Sequence, residues 1–189
     1  MLQRTTVAEG IWTVDDFFTS GECQHHIQWS EEQGYLPATV GQGEAKGYAP
    51  GIRNNYRVIA ENQELADLIW ERGRSVIPQF VQAYEVVGIN ELFRFYRYEQ
   101  GQCFHRHADG FHRRENGERS RLTLLIYLND GFDGGETRFD NAIVTPREGQ
   151  ALLFIHGLLH EGVEVFNGYK YVLRTDVMYS ANPLDLDEE

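Results

Sequence analysis

Leu92-Phe93-Arg94-Phe95-Tyr96-Arg97-Tyr98 is a run of aromatic and basic residues, and it marks where the chain turns to a period of two. Downstream, Arg121–Leu128 reads as a second strand, rich in Leu, Ile and Thr. Shorter strands are expected at 136–139, 142–145, 150–155, 160–165 and 169–179. They are separated by turn-forming Asn129-Asp130-Gly131, Gly134-Gly135, Pro146, Gly149 and Asn167-Gly168. Short strands at such intervals predict a double-sheet β-sandwich or jelly roll.

Upstream of Leu92 the pattern is mixed and mostly helical. Thr13 stands at a cap position before Asp15, Asp16, Phe17 and Phe18. Ser20 begins a helix that covers Cys23, Ile27 and Trp29 and closes at Gly34. A Gly-rich loop runs from Thr39 to Gly51 and leads into Arg53-Asn54-Asn55-Tyr56-Arg57-Val58. Leu65, Ile69, Ile77, Phe80, Val81 and Tyr84 recur at helical spacing, which predicts an amphipathic helix over 62–84, interrupted at Gly73 and Pro78. The expected organisation is one domain over 1–189. Residues 1–90 form a helical support region packed on one sheet, with a lid loop over about 39–58. Residues 91–180 form the jelly-roll core, and 181–189 an acidic, frayed tail.

The 189 residues carry 17 basic and 29 acidic side chains, a formal net charge of −12, which disfavours a protein that grips nucleic acid through its phosphates. The acidic surface favours a basic or neutral partner. Two cysteines, Cys23 and Cys103, imply neither a disulfide framework nor a thiolate zinc site and fit a reducing, cytoplasmic setting. No apolar run approaches the ~20 residues that cross a bilayer, and the first residues show no secretory pattern, so no membrane partner is expected.

The stretch that could carry chemistry is Gly101-Gln102-Cys103-Phe104-His105-Arg106-His107-Ala108-Asp109-Gly110. On an extended backbone, side chains two apart share a face, so His105, His107 and Asp109 point together. An imidazole and a carboxylate at that spacing grip one face of a divalent ion. A third ligand from a distant strand would complete a 2-His-1-carboxylate triad, which suits non-heme Fe(II). His160 is the candidate. His105 can reach the same face, whereas His112 and His156 read as incidental. By itself an isolated His-x-Asp is more often surface decoration.

The order of motifs over residues 90–180 adds to this. Tyr98-Glu99-Gln100-Gly101, His107-Ala108-Asp109, Arg121 to Asn129, Gly134-Gly135-Glu136-Thr137, Pro146, Gly149, His160 and Gly168-Tyr169-Lys170 together resemble the catalytic domain of the prolyl 4-hydroxylase group of 2-oxoglutarate/Fe(II)-dependent dioxygenases. The resemblance implies a double-stranded β-helix with Fe(II) held by His107, Asp109 and His160. It implies 2-oxoglutarate as cosubstrate, with Lys170 and Tyr127 on its far carboxylate and Tyr98 lining the iron pocket. The implied reaction consumes O2, hydroxylates an unactivated C–H and converts 2-oxoglutarate to succinate and CO2, with ascorbate rescuing oxidised iron. Arg174 lies on the same face of the same strand as Lys170 and competes for the carboxylate. Lys170 is favoured by the family pattern, and an ion pair of Arg174 with Asp176 or Glu136 is the structural alternative. The resemblance also suggests that Gly134-Gly135 lies close to the iron. Arg53, Asn55 and Arg57 are candidate substrate residues on the lid, weighed evenly against a solvated loop.

The expected substrate is a prolyl or other amino-acid residue of a peptide or protein; a free amino acid or small metabolite is the alternative. A cupin-like metal protein using His105, His107 and His160 without 2-oxoglutarate stays open, although the Glu usual shortly after its His pair is missing. A catalytically silent barrel is disfavoured because all three ligands and Lys170 are kept.

Overall fold

Alternation after residue 90 and scattered amphipathic segments before it together produce, among the described residues, two helices and many short strands. The computed structural model describes residues 1–39, 47 and 49–181. In chain order the first half holds β1 (Arg4–Ala8), β2 (Ile11–Val14), α1 (Ser20–Gln33), β3 (Leu36–Pro37), β4 (Tyr56–Glu61), α2 (Gln63–Gly73), β5 (Phe80–Val81) and β6 (Tyr84–Ile89). The second half holds β7 (Leu92–Tyr98), β8 (Phe104–His107), β9 (Arg119–Tyr127), β10 (Asp133–Gly134), β11 (Thr137–Phe139) and β12 (Ile143–Val144). It continues through β13 (Ala151–Ile155), β14 (His160–Gly162), β15 (Val165–Asn167) and β16 (Lys170–Tyr179).

The major sheet runs β1-β2-β13-β9-β16-β7-β4-β3, with β6 pairing the far end of β16 and β5 pairing β6. A smaller sheet, β12-β11-β14-β8, faces it, and β10 pairs with β15. This is the double-stranded β-helix, or jelly roll. Its two faces follow the parity of each strand. Phe93, Phe95, Leu122, Leu124, Ile126, Leu173 and Val177 point outward into a core shared with α1 and α2. Tyr96, Tyr98, Tyr127, Leu152, Phe154 and Val172 point between the sheets and pack with Phe139, Val144 and Val165. Each such fully buried apolar side chain contributes about 1.5–3 kcal/mol. The inward parity of β16 also carries Lys170 and Arg174, so a strand that builds the core delivers two cations to the interior.

The first ninety residues depart from expectation. Thr13 lies in β2, which pairs with β13 and so belongs to the major sheet. The cap is Thr19, whose hydroxyl accepts from Glu22 N–H while Glu22 Oε2 accepts from Thr19 N–H at 2.8 Å. The helix over 62–84 is shorter than its spacing implied. Asn62 caps α2 by accepting from Leu65 N–H at 2.9 Å, and α2 ends at Gly73. Beyond it, Phe80–Val81 and Tyr84–Ile89 form a hairpin because β6 can pair with β16, and sheet pairing overrides a local helical pattern. Phe80, assigned to the apolar face, is 62% exposed. The support region is therefore strand and helix rather than mostly helix. The lid loop about 39–58 falls partly on residues 40–46 and 48, outside the described residues; its last part is strand β4. No helix among the described residues is long and apolar enough to cross a membrane.

Candidate active site

Strands β8 and β14 pair antiparallel with His107 directly opposite His160. Asp109 lies just past the end of β8, where its N–H donates to the carbonyl of His156 at 3.0 Å. One donor atom from each of His107, Asp109 and His160 falls within 4.8 Å of the others. His107 Nε2 is 3.6 Å from Asp109 Oδ1, and His160 Nε2 is 3.7 Å from Oδ2. The Nδ1 atoms face backbone carbonyls, of His105 at 2.8 Å and Leu158 at 3.0 Å. A carbonyl only accepts, so the ring protons sit on Nδ1 and both Nε2 lone pairs aim at the gap beside Asp109. Burial pushes the His160 imidazole down to about 4, keeping it neutral and able to ligate.

Asp109 is held from two sides. Arg174 Nη1 lies 2.9 Å from Oδ1, and the Thr123 hydroxyl donates to Oδ2 at 2.6 Å. Thr123 can spend its single proton there only if it accepts from His156 Nδ1, which lies 3.0 Å away. His156 Nε2 then accepts from the Ser120 hydroxyl at 2.9 Å. Burial alone would raise the Asp109 carboxyl, but Arg174, His107, His160 and Thr123 hold it well below the ordinary carboxylate range. Sequence reasoning missed this chain of donors. The signal for Thr123 was a hydroxyl on the inward parity of the otherwise aliphatic run Leu122–Ile126, and His156, read as incidental, is buried at its centre. His105, in contrast, is exposed and turned away; its ring lies 3.6 Å from Cys103 Sγ. Asp109 sits beyond the strand, so the shared face anticipated for all three residues applies to neither His105 nor a continuous strand.

Lys170 lines the same narrow cavity as the three donors. Its side chain is 3% exposed, and Nζ donates to the Gly135 carbonyl at 2.6 Å between the rings of Tyr98 and Tyr127. Burial pushes the ammonium down from 10.5 to about 7. Gly135, at φ +69°, leaves room for this stem: a Cβ there would lie 2.8 Å from the Phe132 ring and 3.2 Å from Lys170 Cδ. The Tyr127 hydroxyl pairs with Thr137 Oγ1 at 2.7 Å, and it is Thr137, with Tyr98, that lines the cavity. Arg174 lines it too, but its guanidinium is engaged with Asp109 and, at 3.6 Å, with Asp176.

Residues 93–175 match the model of the 2OG-Fe(II) oxygenase superfamily. The match, with the relatives that follow, supports a prolyl hydroxylase-like 2OG-Fe(II) oxygenase. Prolyl 4-hydroxylase 1 of Arabidopsis thaliana is 28% identical over 189 residues, covering 85% of this chain and 66% of the relative, just under two thirds of its length. The viral collagen prolyl hydroxylase of Paramecium bursaria Chlorella virus-1, solved with 2-oxoglutarate, superposes with a TM-score of 0.65 at 20% identity, covering 92% of this chain and 97% of that one. A Trichoplax adhaerens prolyl hydroxylase, solved with a hypoxia inducible factor peptide fragment, gives 0.66 at 18% identity over 89% and 83%. Oxygenases of this superfamily use Fe(II), 2-oxoglutarate and O2. The donor set here fits that ion: two imidazoles and one carboxylate on one side, with the opposite side open to the cavity.

A wider cavity, about 570 Å³, opens outward from the donors. Arg53 and Arg57 line it; Asn55 does not. Asn55 is fully buried, and its Oδ1 accepts from Arg53 Nε and Nη2 at 3.0 and 2.9 Å, so it holds Arg53 rather than facing the cavity. Arg53 lies over Phe104, 4.1 Å from the ring centroid, and 4.8 Å from that of Tyr96. Tyr96, which sequence reasoning did not single out, borders both cavities. Burial would raise its phenol, yet Arg174, Arg53 and Arg94 pull it down to about 8.

Proposed function

We propose that this oxygenase hydroxylates an unactivated C–H of a prolyl or other amino-acid residue, converting 2-oxoglutarate to succinate and CO2. The observation that carries the reading is the pairing of a one-sided His107/Asp109/His160 donor set with a buried cation, Lys170, at the other end of a single cavity. A metal-only barrel has no use for a buried ammonium that, among the described residues, touches no carboxylate; a dicarboxylate cosubstrate supplies one. The peptide bound to the Trichoplax enzyme supports a peptidyl substrate.

In this proposal His107 and His160 ligate through Nε2 and Asp109 through its carboxylate. Lys170 receives the far carboxylate of 2-oxoglutarate, with the Thr137 hydroxyl beside it, and Tyr98 walls the cavity. Arg174 and Thr123 keep Asp109 ionised and oriented. Bound Fe(II) and 2-oxoglutarate supply the O2 activation that places one oxygen in the C–H bond and the other in succinate. Phe104, stacked on the His107 ring at 3.5 Å, shields the donors from bulk water. Arg53 and Arg57 are the proposed substrate contacts.

The test is anaerobic addition of Fe(II) and 2-oxoglutarate, which should give the weak visible charge-transfer band of the chelate. On admitting O2, succinate should form. His107→Ala and Asp109→Ala should lose both while keeping the far-ultraviolet dichroism of the parent. Tight zinc binding with no band in the unaltered protein would favour the cupin-like alternative.

A further inference from the structure

Resting on this hydroxylase reading, we infer that the primary substrate carries a carboxylate, which docks on the Arg53–Arg57 side of the outer cavity. Four guanidiniums line that cavity, from Arg53, Arg57, Arg94 and Arg174, in a protein whose formal net charge is −12. Three adjacent strands present Arg57, Arg94 and Arg174, and Arg53 precedes β4 in an isolated bridge to Phe104. Arg94 on β7 stands directly opposite Arg174 on β16, and Arg57 on β4 stands opposite Tyr96 on β7. Like charges directly across a sheet are unfavourable, so the arrangement needs counter-charges.

The described residues supply two. Asp109 pairs with Arg174, and Asp176 lies 3.5 Å from Arg94 and 3.6 Å from Arg174. Both carboxylates are thereby consumed. Arg53 and Arg57 remain: among the described residues neither has a carboxylate within ion-pair distance. Arg53 is 4% exposed, with only the neutral Asn55 as hydrogen-bond acceptor; Arg57 donates to the Thr39 hydroxyl at 3.0 Å. Neutral acceptors and aromatic faces orient a guanidinium without cancelling its charge. A buried cation held in place without a counter-ion is built to receive one, and arginine's planar fork matches a carboxylate. The metal and 2-oxoglutarate do not remove the surplus, because a divalent cation and a dianion cancel. The acidic surface predicts a basic or neutral partner; the cavity has the opposite local field, and the cavity is what meets the reacting carbon.

The carboxylate has two possible sources, an acidic side chain beside the hydroxylated residue of a peptide or the free carboxylate of an amino acid. Calorimetric titration of two matched pairs separates them: L-proline against L-prolinamide, and acetyl-Pro-Glu-amide against acetyl-Pro-Gln-amide. Each pair is measured on metal-free protein and on protein loaded with Mn(II) and 2-oxoglutarate. In at least one pair the acid is expected to bind about tenfold or more tightly than the amide. Response in the first pair assigns a free amino acid, and in the second an acidic peptide. Arg57→Gln should bring the ratio near unity, and Arg57→Lys should retain part of it, which separates loss of charge from loss of fold. Amides that bind as well as acids, a ratio that survives Arg57→Gln, or no binding by any of the four probes overturns the inference. Failure of the hydroxylase reading appears separately, as a protein that takes up neither Mn(II) nor 2-oxoglutarate before any probe is added.

Discussion

Replacing Lys170 by Met should move two quantities in opposite directions. The ammonium is 3% exposed, with the Gly135 carbonyl as its hydrogen-bond acceptor and Glu136 as the nearby countercharge, and burial pulls it from 10.5 to about 7. A base whose folded value lies below its unfolded value destabilises the fold. The penalty is fully present below pH about 7, shrinks as the pH rises, and vanishes above 10.5. At about 1.36 kcal/mol per pKa unit its upper bound is about 5 kcal/mol. Met has similar length and no charge, so without 2-oxoglutarate Lys170→Met should be more stable than the parent at pH 7. Each kcal/mol recovered should raise Tm by about 2–4 °C. With 2-oxoglutarate the sign reverses, because a buried carboxylate that loses its partner costs about 3–5 kcal/mol, a weakening of roughly a hundredfold to a few thousandfold in Kd. Thermal denaturation across a 2-oxoglutarate titration with Mn(II) present reads both. A variant that is less stable without ligand and binds 2-oxoglutarate as the parent does would refute the reasoning and make Lys170 a structural residue. A greater loss of affinity in Arg174→Met would move the carboxylate anchor to Arg174.

The same ammonium sets a pH dependence: 2-oxoglutarate affinity should be flat below pH about 7 and fall by up to about tenfold per pH unit above it, with proton uptake on binding; calorimetry in buffers of different ionisation enthalpy measures both. Thr123→Val removes the 2.6 Å bond to Asp109 and should weaken metal affinity about 10- to 100-fold, read by competition with a chromophoric chelator; unchanged affinity would show that Arg174 alone positions the carboxylate. Gly135→Ala forces a Cβ to 2.8 Å from the Phe132 ring at φ +69° and should cost about 1–3 kcal/mol in chemical denaturation, with a further loss of 2-oxoglutarate affinity as the Lys170 stem shifts; full stability would mean that Phe132 swings away freely.

The alternating segments after residue 90 were legible because each strand must bury one face, and a period of two records that demand directly. Leu92–Tyr98 and the strands near 137–139, 151–155 and 170–179 appear where the pattern places them. Before Leu92 the same logic failed. Leu65 to Tyr84 kept a helical spacing that tertiary pairing overrode, since the hairpin Phe80–Ile89 gains its stability from β16, far away in the chain.

The chemical inventory of the site is written in residue type and period: a His-x-Asp pair, a later His, and a Lys and Arg on one strand parity. How those groups pair depends on the folded arrangement. It directed Arg174 to Asp109, gave Asp109 a second donor through Thr123 and His156, turned His105 outward, buried Asn55 beneath Arg53, and left two guanidiniums without a carboxylate among the described residues. Charge pairing and hydrogen-bond direction depend on distances of about 3 Å between strands remote in sequence, and no local period records them.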